Sequence, residues 1–451
     1  MQKQKPNLKT TAIPKLFFSY FLPSLVAMLA LSTYSTIDGI FVGKKLGENA
    51  LAAIGIAWPI FPILIAFELL FSVGAAAMAS YFLGRGKAFR ARIVFSSVFY
   101  FALSTSVFGG VVLYFYSDSI ALLLGSSATL LPLVQHYTEV IYLGAFIIVL
   151  HPMLDIFAIN DKQPVLAMFA MIAGSLTNII LNYIFLFVLE LGIASSALAT
   201  LLGHGVGMCI LLQHFLRKKG DLYLIKAFDI YALLSATKNG IPQSSSEISV
   251  SLMMLIFNRT ISEIAGDRGL AIYSVLMYAG IIPFTILLSM AQGVQPIASF
   301  NYGAGLMSRV RGIFNFGLVF SFGGGIVLYV LFFIFSPYLI AWFLPSDIAM
   351  RDINLLKDTQ NAMQFYFLGY ILLGVNIVSA IFFQSIQRTF SSFVITFAYT
   401  LLFTFCFVMI LPRLYGFDGV IVSYPLGILC ATFVVFGIIV YEYKKGILKN
   451  L

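Results

Sequence analysis

The feature that most restricts this chain is repetition: long apolar runs recur along almost its whole length, separated by short polar stretches. A helix needs roughly 20 apolar residues to cross a ~30 Å hydrocarbon core. In that solvent only segments that satisfy their own backbone hydrogen bonds survive. The runs fall at roughly 16–41, 50–83, 93–116, 131–157, 164–189, 193–216, 239–262, 270–300, 312–336, 361–386, 391–411 and 419–441. The pattern therefore predicts an all-α polytopic membrane protein with twelve transmembrane helices. Composition agrees, with 60% hydrophobic and 10% charged residues and a mean hydropathy of +0.98, far from the polar surface a soluble fold needs. The first run follows a polar start and lacks a small-residue cleavage site, so it is expected to remain as a span and not to be a secretory signal. Cys209, Cys406 and Cys430 all lie inside runs without metal-ligand spacing, so no disulfide framework, metal site or cofactor is expected.

Charge placement gives an orientation. The N-terminus and alternate loops hold 20 of the 27 basic residues. They are Lys3, Lys5, Lys9 and Lys15, then Arg85, Lys87, Arg90 and Arg92, Lys162, Arg217 to Lys219, Lys226 and Lys238, Arg309 and Arg311, Arg388, and Lys444, Lys445 and Lys449. The positive-inside rule then puts both termini in the cytoplasm. The net charge of +9 reflects topology and attraction to anionic lipid in the bilayer. Nothing in the sequence has the base-stacking or groove-reading character of a nucleic-acid binder.

The chain also repeats itself. SYFLGRGKAFRARIVF (Ser80–Phe95) lies over SFNYGAGLMSRVRGIF (Ser299–Phe314) at an offset of 219, as does GENALA (Gly47–Ala52) over GDRGLA (Gly266–Ala271). LGIASSALATLLG (Leu191–Gly203) pairs with YGFDGVIVSYPLG (Tyr415–Gly427) at 224. This predicts a duplicated six-span unit: an N-terminal lobe over 1–216, a cytoplasmic linker over 217–238 and a C-terminal lobe over 239–451. Six is even, so both copies enter from the same side, a parallel repeat of the kind that secondary transporters rock to expose a cavity alternately.

Ionisable side chains inside spans cost about 3 kcal/mol each at the bilayer centre by insertion scales, and they mark ion or substrate pathways. Five acids qualify: Asp38, Glu68, Glu139, Asp155 and Glu247. At 1.5 Å per residue, Asp38 lies roughly 5–8 Å below the outer end of the first span and Asn182 ~10 Å below that of the fifth. Thr200 lies about as deep on the sixth span, and Asn178 one turn from Asn182 on the same face. A carboxylate among two amides and a hydroxyl suits a site that loads and releases a proton, and the same oxygens suit Na⁺. The plain alternative is that the amides and hydroxyl only join helices.

The stretches STIDGIFVGKKLGENALAAIG, GSLTNIILNYIFLF, ASSALATLLG and GFDGVIVSYPLG resemble the multidrug and toxic compound extrusion (MATE) family, most closely its bacterial MepA-type branch. The likeness covers essentially the whole chain. It implies two six-helix bundles in a V, related by a pseudo-two-fold axis. It also implies a bacterial inner-membrane antiporter exporting amphipathic or cationic drugs in exchange for H⁺ or Na⁺. The family's ion network would fall on Asp38, Asn178, Asn182 and Thr200, with Tyr137 and Asp155 as further members. Relatives with a described proton network often carry aspartate at the position of Asn182. In DIFAINDKQP (Asp155–Pro164) relatives commonly have Arg at Ile159 and Gly at Lys162. Glu247 resembles a C-lobe acid used for cation or substrate binding, and Pro23 a proline at which the first helix bends. The chain is expected to act as a monomer. Two rival readings are a lipid-linked saccharide flippase of related architecture, which would want a cationic cavity, and a polytopic membrane transferase. Against the latter, His136, His151, His204 and His214 are scattered in sequence and form no catalytic motif.

Overall fold

The computed structural model describes residues 7–343 and 353–444; Lys3, Lys5, Lys445 and Lys449, counted above for orientation, lie outside them. The described chain is helical, without strands. In the first repeat the helices are α1 (Ile13–Leu46), α2 (Glu48–Ala57), α3 (Ile60–Gly84), α4 (Ala88–Phe115), α5 (Ser117–Leu123), α6 (Leu131–Leu143), α7 (Ala145–Asn160), α8 (Pro164–Tyr183) and α9 (Ile193–Leu216). The second repeat follows with α10 (Ile230–Gly303), α11 (Met307–Phe343), a helix over Ile353–Tyr366, then Tyr370–Ser385, Thr389–Phe397 and Phe403–Lys444.

Among the described residues ten helical stretches are long and apolar enough to span a bilayer, and eleven if α6 and α7, bent by 51°, are one broken span. The last of them, Thr389–Lys444, is broken at Gly416 (φ 58, ψ −136) and so carries two spans. That gives the twelve expected. A similar break at Gly266 (φ 55, ψ −150) divides α10 into two spans. α10 begins at Ile230, nine residues before the expected span, because IYALLSATK (230–238) is itself helix-compatible and largely apolar. The bend between α6 and α7 falls at Gly144, where a side chain would collide with Leu201 of α9; the helix yields there to let α9 pack.

Contacts divide the chain into two compact units. One comprises Met1–Phe21 with Ile248–Leu451, the other Leu22–Glu247. The leading part of α1 thus packs with the second repeat, and the leading part of α10 with the first. The duplication appears inside each unit. In the Leu22–Glu247 unit, Gly74 of α3 meets the backbone of α10 at Ala236 and Gly240. In the other unit, Gly293 lies 3.2 Å from Phe21 of α1, measured to a Cβ it lacks. Gly74 and Gly293, like Phe21 and Gly240, are 219 apart, the offset read from sequence. Backbone angles repeat as well: Gly86 and Gly305 both have φ 74, and Lys162 and Gln387 have φ 63 and 62. Without apolar solvent transfer to drive association, membrane helices rely on such small residues for close approach.

Candidate functional site

The site in the Leu22–Glu247 unit is built by the close contact of α8 and α9. A Cβ on Gly174 would lie 2.7 Å from the Gly203 carbonyl oxygen, and one on Gly203 as near to that of Gly174. With the two backbones this close, short polar side chains one turn further along can meet. Asn178 Nδ2 donates to Thr200 Oγ1 at 3.1 Å. One turn beyond, Asn182 Nδ2 and Ser196 Oγ both donate to Asp38 Oδ1 of α1, the latter at 2.7 Å. On α8, Asn178 and Asn182 are separated by four residues, and so are Ser196 and Thr200 on α9, so each helix presents its pair on one face.

Asn178, Asn182, Ser196 and Thr200 are all buried, Asn182 and Ser196 completely. Among the described residues no ion pair holds Asp38; the groups bonded to its carboxylate are an amide and a hydroxyl. Two carbonyl oxygens of the site, Asn178 Oδ1 and Asn182 Oδ1, are buried without a hydrogen-bond partner. A buried acceptor left open costs about 1–3 kcal/mol. The arrangement therefore offers an anionic oxygen and two open carbonyls to a proton or a small cation.

Four of the expected site residues, Asp38, Asn178, Asn182 and Thr200, are thus brought together. Sequence reasoning missed Ser196, whose signal was its place one turn before Thr200. Tyr137 of α6 is buried in the apolar cluster of Val42, Ile141, Ala197 and Leu201, which packs the trailing part of α1 against α6 and α9. Asp155 of α7 lies elsewhere: its charge and that of Glu247 both act on Glu68 of α3. Glu68 is 5% exposed, and Glu68 Oε1 and Asp155 Oδ1 are buried without hydrogen-bond partners. Glu247 packs with the Leu22–Glu247 unit, beside acids of the first repeat. Pro23 is enclosed within α1, two residues from where the chain passes between units.

This helix order and duplication define a membrane transporter fold. The MatE family model matches residues 23–184 and 242–410, and the chain belongs to the MatE family. It is 25% identical over 370 residues to the multidrug export protein MepA of Staphylococcus aureus strain MSSA476, covering 80% of each chain. To MepA of Staphylococcus saprophyticus it is 25% identical over 286 residues, 63% of each chain. A transporter of the MOP superfamily from Pyrococcus furiosus superposes with a TM-score of 0.91 at 22% identity, covering 100% of this chain and 99% of that one. The outward-facing conformation of a multidrug resistance MATE transporter gives 0.91 at 22% identity, covering 100% of both. The protein is a multi-pass membrane protein and not an enzyme.

Proposed function

We propose that this protein is a secondary-active multidrug exporter that expels amphipathic and cationic compounds in exchange for H⁺, with Na⁺ as the alternative coupling ion. It works as a monomer in the bacterial inner membrane with both termini cytoplasmic. Its sequence repeats are residues 1–216 and 239–451 with 217–238 between them, and each packs the opening part of its first helix with the other repeat. The curated relatives named as multidrug export proteins support the substrate class.

The observation that carries the coupling is the half-buried Asp38 carboxylate, held among the described residues by donors alone. In its charged form it needs donors, which Asn182 Nδ2 and Ser196 Oγ supply. Once protonated it needs an acceptor for its own O–H, which the open Asn182 Oδ1 supplies if that amide turns over. An amide can serve both states, where a second aspartate would have to change its own protonation. Each state of the site thus favours a different placement of α1, and an ion can drive transport only through such differential binding. Pro23 removes one backbone hydrogen bond from α1 and gives the helix a place to bend. Asp155, Glu68 and Glu247 supply a second group of carboxylates for protons or a substrate cation.

The test is ethidium efflux from proteoliposomes under separately imposed pH and Na⁺ gradients. Asp38→Asn is expected to lower gradient-driven efflux at least tenfold while the protein remains folded. Unchanged efflux in that variant would overturn the assignment. Efflux driven by the Na⁺ gradient alone would make Na⁺ the coupling ion.

A further inference from the structure

Below the Asp38 site, the same two helix faces continue for another turn. On α9, His204 follows Thr200 by four residues and Ser196 by eight, placing all three on one stripe. His204 Nδ1 meets His151 Nδ1 of α7 at 2.9 Å. Gly207 makes room for this ring: a Cβ there would collide with the His151 imidazole. His151 is 1% exposed, and its Nε2 is buried without a hydrogen-bond partner.

Beside the pair lies a cavity of about 10 Å³, room for about one water. It is lined by His151, Ser175, Asn178, Thr200 and His204 among others. Ser175 Oγ and Asn178 Oδ1 are, like His151 Nε2, buried and unpartnered. A water needs two to four polar partners, and the lining residues His151, Ser175 and Asn178 each carry a buried polar atom without one.

The second repeat shows that the fold does not require two imidazoles here. The position 225 residues after His151 is Asn376, and the position 224 after His204 is Ile428. There the Asn376 side chain donates to the Ile428 backbone carbonyl at 3.2 Å. An amide bonded to a main-chain oxygen joins those helices without any titratable group.

We propose that His151 and His204 form a proton relay, joined by a water in the adjoining cavity to the Asn178–Thr200 rung and so to Asp38. One turn along α7 from His151 is Asp155, whose charge acts on Glu68, as does that of Glu247. The relay thus connects the Asp38 site with the second group of acids. These are the titratable groups that bear on it: His204 from α9, Asp155 on α7, and beyond Asp155 Glu68 of α3 and Glu247 of α10. α8 contributes Met171, Gly174, Ser175 and Asn178 to the cavity wall, none of them titratable.

An Nδ1-to-Nδ1 hydrogen bond requires one ring to donate and the other to accept. A proton arriving at the bare Nε2 of the donor ring forms one N–H bond and makes that ring a cation. Its Nδ1–H then breaks as the partner's Nδ1–H forms, carrying the charge across. The partner releases its own Nε2 proton and becomes neutral. One N–H bond forms for each that breaks, and the two tautomers are exchanged; the return passage or ring reorientation resets them.

The relay rests on the antiport reading, and the test separates the two. His151→Asn installs the side chain that the second repeat uses, and His204→Gln is the independent variant. ΔpH-driven ethidium efflux in proteoliposomes is measured from about pH 5 to 8, a range centred on where histidine usually titrates. Exchange of labelled for unlabelled substrate is measured alongside as a step needing no net proton movement. Both variants are expected to exchange substrate at the wild-type rate, to lose at least tenfold in ΔpH-driven efflux and to flatten its pH profile. Wild-type efflux with an unchanged profile in either variant, while Asp38→Asn is inactive, would overturn the relay and leave the antiport intact. Equal loss of exchange and efflux in a folded variant would mark the histidines as structural and also overturn it. Wild-type efflux in Asp38→Asn would instead remove the antiport reading itself.

Discussion

Lys162 has φ 63, a left-handed conformation that costs a residue with a Cβ roughly 1–2 kcal/mol and glycine almost nothing. It sits where the chain turns from α7 into α8, and related sequences are expected to carry glycine there. Its amine pairs with Asp221 at 2.7 Å, the two side chains being 34% and 49% exposed, and a pair so open to water contributes about 0–1 kcal/mol. Lys162→Gly is therefore expected to raise stability by about 0.5–1 kcal/mol, read as a higher unfolding temperature in detergent. Gln387, at φ 62 in the second repeat and without an ion pair among the described residues, is the control: Gln387→Gly should gain at least as much. A fall in both would show that the backbone there is not strained. At this scale the sequence was informative for residues whose chemistry is out of place in lipid. Asp38, Asn178, Asn182 and Thr200 announced themselves by depth and by four-residue spacing. Ser196 did not, because a helical serine usually bonds its own backbone, as Ser195 does with Gly192 at 2.7 Å. The histidine pair was invisible for another reason: 53 residues separate its members, and only the packing of α7 on α9 brings them together.

The elements are held at one end by a clasp that the sequence did not disclose. Asp161, just past the end of α7, accepts backbone N–H groups of Asp221 and Leu222 at 2.9 and 3.0 Å on Oδ1 and meets His214 Nε2 of α9 at 2.8 Å through Oδ2. Gly220 leaves the space the carboxylate occupies. Arg92 of α4 donates to the Asp221 carbonyl at 2.9 Å and lies 3.9 Å over the Tyr223 ring. The segment after α9 is thereby tied to α4 and α7. Burial pushes the Asp161 carboxyl above its ordinary range, opposed by the bonds from His214 and Leu222. A carboxyl whose folded-state affinity for protons is raised contributes stability that is complete below the unfolded value near 3.9 and lost as pH rises through the folded one. Asp161→Asn keeps an acceptor for the two N–H groups and cannot ionise, so unfolding temperature should depend less on pH in the variant than in wild type between about pH 4 and 7. Identical pH dependence in both would remove Asp161 from this role. Helix identity was legible from apolar length alone, since nothing but a helix satisfies its backbone in lipid. Helix ends and breaks were not: the bend at Gly144 answers to Leu201, a tertiary neighbour, and α10 starts at Ile230, inside the segment that its basic residues marked as linker.

At the scale of the molecule, duplication was the clearest signal, because two copies of one unit preserve glycine contacts and backbone angles where most side chains have diverged. The acids diverged most: Asp38, Glu68 and Asp155 are replaced at the corresponding offsets by Phe257, Leu287 and Ala380. These three acids thus belong to the first repeat alone. What composition and pattern did not reveal is that residues up to Phe21 pack with the second repeat while those from α10 up to Glu247 pack with the first. Each copy lends its opening half-helix to its sibling, so the gene's two halves are mutual chaperones. Severed between Asp229 and Ile230 and produced separately, fragments 1–229 and 230–451 should each be degraded or aggregate. Produced together, they should associate into a pair that survives purification. Independent folding of either fragment would show that the loan is dispensable.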